Sequence, residues 1–95
     1  MKFIETVIET WKALSNPALQ GNIKRSADGS RLTIEVMTQQ YAATIEAWEQ
    51  AYSMDITVLE LISNTGVLLS AGECTSLDEM KERITLLCEM LSKAS

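Results

Sequence analysis

The chain has 95 residues, 46% of them apolar and 22% charged. That suffices for one domain with a single core, and it is too apolar for a disordered segment. Thirteen acids against eight bases give a net charge of −5, which repels phosphate and argues against direct nucleic-acid binding.

No apolar run approaches the length needed to span a bilayer. Phe3 and Ile4 are followed at once by Glu5 and Glu9, unlike a secretory signal, so a cytoplasmic protein is expected, with residues 1–95 as one domain. The sequence has no histidine and two cysteines, Cys74 and Cys88. A structural zinc site lacks ligands, and Ser–His and Cys–His nucleophile pairs are unavailable. Neither a cofactor nor a metal is expected, and the two thiols are expected to be reduced and buried, a disulfide between them being the alternative their spacing allows. Residues 32–80 hold Glu35, Glu46, Glu49, Asp55, Glu60, Glu73, Asp78 and Glu79 with no base among them. A surface of that sign favours a basic protein partner. The plainer reading is that it only keeps the protein soluble.

In chain order, Ile4, Val7, Ile8, Trp11 and Leu14 recur at three and four, which predicts a helix over 2–14 with Trp11 in its apolar stripe. Asn16 and Pro17 are expected to stop it. Residues 21–27 predict a weak strand, Asp28-Gly29 a tight primed hairpin turn, and residues 31–37 a strand with Leu32, Ile34 and Val36 on one face. Lys24, Arg25 and Arg31 around this hairpin read as guards against edge-to-edge pairing. After a turn at 38–40, Ala43, Ile45 and Ala47 alternate with Thr44, Glu46 and Trp48. The small residues suit an inner face that a helix approaches, which leaves Trp48 facing outward. There it is either an interface anchor or an indole covered by a neighbouring strand.

Residues 55–62 are almost continuously apolar, which predicts a central strand or one broken by a β-bulge. A loop at 63–66 leads to a fifth strand at 67–71, ended by Gly72. Ser76 and Glu79 form a capping box for a last helix, with Leu77, Met80, Ile84, Leu87 and Leu91 along one stripe and Lys93 complementing the dipole. The expected fold is α+β, in the order α-β-β-β-β-β-α: a five-stranded antiparallel meander with both helices on one face and Ile45 and Leu87 in the core between them. No phosphate loop, metal spacing or nucleophile elbow is present, and Glu46 and Glu49 point to opposite faces of a strand rather than forming an acid–base pair. An enzyme is not expected.

Ile45-Glu-Ala-Trp-Glu49, the acidic strand opening at Asp55, the Asn64-Thr-Gly66 turn and Ser76-Leu-Asp-Glu79 before the last helix follow one another in an order that resembles the TriTu family of bacterial immunity proteins. The likeness covers roughly residues 41–91. The connection after Trp48 and Glu49 departs from it by having no glycine and by being longer, and the stretch from Asp55 to the turn is longer too. The resemblance implies a cytoplasmic antidote that neutralises a cognate toxin domain. The partner-binding residues expected for such an antidote are Trp48, Glu46, Glu49, Glu35 and Thr44, an aromatic anchor within an acidic rim. Two other classes stand beside it: a chaperone-like adaptor for a secreted effector, and a small-molecule-binding domain with a pocket between sheet and helices.

Overall fold

The structure, a computed structural model, describes residues 3–15, 19 and 21–93. Helix α1 (Phe3–Leu14) is followed by strands β1 (Gly21–Arg25), β2 (Arg31–Met37), β3 (Tyr41–Trp48), β4 (Ser53–Glu60) and β5 (Thr65–Ser70), then helix α2 (Leu77–Lys93). The strands form one antiparallel sheet in sequence order, the expected meander.

Strict alternation builds the core. Leu32, Ile34 and Val36 of β2, Ala43, Ile45 and Ala47 of β3, and Met54, Ile56 and Val58 of β4 are all buried beneath the helices. Phe3, Ile4, Val7, Ile8 and Trp11 come down from α1, and Met80, Ile84, Leu87 and Leu91 from α2, into the same cluster. The two helices touch each other, and α1 lies over β3, where Ala43 and Ala47 leave room for it. Gly21 permits the closest approach. A Cβ there would stand 2.8 Å from the Trp11 indole nitrogen and 3.1 Å from Ile34.

Several local expectations are revised. Asp28-Gly29 does not form a two-residue primed turn, because only Gly29 takes a positive φ, of 75°. β1 ends earlier than expected, at Arg25, while β2 spans Arg31–Met37 as expected, and the loop between them is held by its own side chains. Asp28 Oδ1 accepts from Ser26 Oγ, Ser30 Oγ and Ser30 N, while Ser26 Oγ accepts from Arg31 N. β4 and β5 begin about two residues earlier than the apolar pattern predicted. Leu61 and Ile62 therefore fall in the turn, where Ile62 is 88% exposed. β4 carries no bulge of its own and keeps one phase through Met54, Ile56 and Val58; the extra residue is Leu69 on β5, opposite the Ile56–Thr57 step of β4. Leu77 and Leu14, placed on the helix stripes, are exposed at their ends. Asn16 and Pro17, and the side chain of Lys93, lie outside the described residues.

The capping of α2 also differs in detail. Ser76 Oγ accepts from the Glu79 amide at 3.1 Å as a capping box requires, but the Glu79 carboxylate reaches past Ser76 to the Thr75 amide (2.9 Å) and hydroxyl. Its other oxygen holds Arg83. Arg83 in turn donates to the carbonyls of Gly72 and Glu73 (both 3.0 Å), tying α2 to the segment that leaves β5.

Candidate partner-binding face

Helices cover one side of the sheet; the other side is covered by no described element. Register places its outward side chains in rows across the strands. Arg31, Trp48 and Ser53 form one row, and Lys24, Thr33, Glu46 and Asp55 the next. Then come Asn22, Glu35, Thr44, Thr57 and Leu68, and finally Met37, Ala42, Leu59 and Gly66. Four of the five expected partner-binding residues, Glu35, Thr44, Glu46 and Trp48, therefore share this face, two strands wide.

Glu49 does not join them. The chain turns immediately after Trp48, and the Glu49 carboxylate reaches from the end of β3 to the start of α1. It accepts from Phe3 N at 2.6 Å and Ile4 N at 3.4 Å. These are amides that a helix start leaves without intrahelical partners, so Glu49 is a capping group supplied from 45 residues away. The divergence of Glu46 and Glu49 follows from strand alternation.

The face is less acidic than the run of acids in sequence suggested. Lys24 Nζ bonds Glu35 at 2.8 Å and Arg31 Nη2 bonds Glu46 at 2.7 Å, both diagonal pairs between neighbouring strands. With Asp55, which accepts from the Gly72 amide at 3.1 Å, the face carries three acids against two bases. Bases that lie far from the acids in sequence are brought beside them by the β1–β2–β3 meander. Trp48 is half-buried, with the Arg31 guanidinium carbon 5.6 Å from its ring centroid. Arg31 thus serves Glu46 and the indole at once: Trp48 faces outward as alternation predicted, and a side chain of the neighbouring strand partly covers it.

The opposite end of the face is apolar, and sequence reasoning missed it. Met37 is 71% exposed and Leu68 59%, with Ala42 and half-buried Leu59 between them. The signal was present at Met37, which continues the outward series Arg31, Thr33, Glu35. Leu59 was obscured because its whole strand reads as apolar.

Elsewhere the chemistry is structural. Asp28 is held down to about 2 by the Ser30 hydroxyl and amide and then Ser26. Glu79 is likewise held to about 2, chiefly by the Thr75 hydroxyl and amide and then Arg83. Both cysteines are free, and burial pushes both thiols up. Among the described residues no three Cys, Asp or Glu side chains gather as a cation site, and no helix is long and apolar enough to cross a membrane. A hollow of about 270 Å³ between Phe3, Tyr52, Cys74 and Leu77 is a surface depression beside the helix starts, not a pocket between sheet and helices. Compared with known proteins, the chain matches no family model, and no curated protein and no solved structure matches it.

Proposed function

We propose that this protein binds another protein through the open face of its sheet, and that it acts as an immunity protein neutralising a toxin domain. One observation carries the reading. An uncovered sheet face bears exposed Met37 and Leu68 at one end and half-buried Trp48 at the other, and apolar groups left in water on a flat face are characteristic of interfaces. The resemblance to the TriTu family adds the class of partner, and of its Ile45–Glu49 motif Glu46 and Trp48 stand on that face, Trp48 at its end. The partner proposed is a folded protein with a basic surface. The apolar row supplies affinity, while Glu35, Glu46 and Asp55 meet the partner's bases in competition with Lys24 and Arg31.

The apolar row also favours a second reading, a chaperone-like adaptor that receives an unfolded segment of a secreted effector. The two differ in what is bound: a folded domain in the first, an extended chain in the second.

The test is to express the protein encoded immediately upstream, to ask whether a domain of it is toxic, and to measure growth protection against that domain and binding to it. Trp48→Ala and Met37→Asp should each weaken binding at least tenfold and together abolish protection. Both residues face outward, so the melting temperature should move little. Glu46→Lys should slow association and flatten its salt dependence. Protection that survives the Trp48→Ala, Met37→Asp double variant would place the site elsewhere. Binding only to the unfolded domain would favour the adaptor.

A further inference from the structure

The two edges of the sheet are guarded very differently. β1 carries Lys24 and Arg25, charges that deter another strand from pairing. β5, at the other edge, has neither charge nor proline, and residues 61–72 form the longest stretch of the chain without Asp, Glu, Lys or Arg. Val67, paired with inward-facing Val58, is 52% exposed although it lies on the helix side. Leu68, on the open side, is 59% exposed. Over Thr65 to Leu68 the helix layer therefore gives little cover, and both faces of that part of β5 meet water along with its free edge, while Leu69 packs against the core and Ser70 is half-buried. The bulge at Leu69 interrupts the ladder at one end only, leaving Thr65 to Leu68 in regular register.

We propose that β5 is a self-association edge, where two copies of this chain pair antiparallel about a two-fold axis at Val67. Charge and symmetry select a second copy as the occupant. A chain of net charge −5 repels itself over any acidic surface, and residues 61–72 are where it meets itself with no like charges opposed. An antiparallel edge pair is also self-complementary by construction. With the axis at Val67, that side chain meets its own counterpart on the helix side. On the open side, Leu68 lies opposite Gly66 of the second copy. Nothing stands within 4 Å of where a Gly66 Cβ would be, so the space above Gly66 receives Leu68, and the exchange occurs twice. The ladder is short and its buried area falls below the ~1,200 Å² of stable complexes, so the dimer is weak and concentration-dependent. The pairing joins two open faces into one continuous surface without covering Trp48, and it does not depend on the immunity reading.

Sedimentation equilibrium of the full chain, from about 10 µM to about 1 mM, tests this at the concentrations a small interface requires. The wild-type mass should rise from monomer towards dimer and no further. Leu68→Lys should remain monomeric across the range, with a dissociation constant raised at least tenfold and an unchanged dilute-solution melt. Gly66→Val fills only open space in its own chain, so it should fold and also weaken the dimer; it decides the matter if Leu68→Lys misfolds. Trp48→Ala should dimerise as wild type, which separates this result from any failure of partner binding. A wild type that is monomeric at the highest concentration, a dimer indifferent to Leu68→Lys and Gly66→Val, or masses growing beyond two would each overturn the proposal.

Discussion

Glu49 shows how far a side chain's role is set by where the backbone turns. In sequence it adjoins Trp48 and Glu46 and belongs to the same acidic group. In the fold, one further residue rotates it to the other side of the sheet, where it closes the exposed amides of α1 at Phe3 and Ile4. Burying part of a helix start without a partner is unfavourable, and a carboxylate is the best available acceptor because its charge also meets the positive end of the helix dipole. Glu49→Ala should therefore cost about 1–2 kcal/mol, the range of a lost N-terminal cap. For a domain this size that lowers the melting temperature by roughly 4–8 °C per kcal/mol. Partner binding at low temperature should be unaffected. Loss of binding without loss of stability would return Glu49 to the interface. No local pattern announces such a cap, since its donor and acceptor are 46 residues apart at Phe3.

At the scale of elements, what was legible in the sequence was periodicity. Alternation in β2 and β3 identified their fully buried inward residues, missing only half-buried Tyr41, and the three–four spacing in α2 picked out Met80, Ile84, Leu87 and Leu91. Where alternation fails, in β4, the ends of the strand were misplaced, and with them Leu61 and Ile62, whose hydrophobicity serves a turn rather than the core. Which strands pair was legible from the meander, but their register was not: the bridges Lys24–Glu35 and Arg31–Glu46 depend on it, and no single strand encodes it. The start of α2 was half legible. Ser76 caps as its spacing implied, but Glu79 serves Thr75 and Arg83 instead of the Ser76 amide. Because those bonds favour the carboxylate, Glu79 titrates near 2 in the folded chain against 4.5 ordinarily. A depressed acid stabilises fully above its unfolded pKa and loses that contribution as pH falls through the folded one. The melting temperature should thus decline from about pH 4.5 to about pH 2, with Asp28 contributing over the lower part of the same window. Glu79→Gln should melt lower than wild type near neutrality and lose less on acidification. Parallel acid limbs for the two proteins would show that the cap does not matter to stability.

At the scale of the molecule, each strand pairs with its sequence neighbour and the helices close over one side, so a single core ties the chain together. The two thiols report on how that core opens. Cys88 lies on the buried face of α2 beside Leu87 and Leu91, and exposing it requires the helix to leave the sheet, which destroys the core. Cys74 is equally buried but sits in the short link between β5 and α2, beside the hollow that Phe3, Tyr52 and Leu77 line. That link is held by the Cys74 amide bonding the Tyr52 carbonyl at 2.8 Å and by Arg83 on the Gly72 and Glu73 carbonyls. Losing those few bonds exposes Cys74 while the sheet and most of α2 stay in place. Local openings of this kind need less free energy than global unfolding. Burial also raises both thiols, which keeps the reactive thiolate scarce until opening occurs. Alkylation followed by mass spectrometry in graded urea should therefore modify Cys74 first, at concentrations below the unfolding transition, with Cys88 modified only in step with loss of helical circular dichroism. Arg83→Met should accelerate labelling of Cys74 more than that of Cys88, because Arg83 holds the link and not the core face of α2. Simultaneous modification of both cysteines in wild type would mean that the link opens only with the whole domain, and earlier modification of Cys88 would mean that α2 undocks on its own.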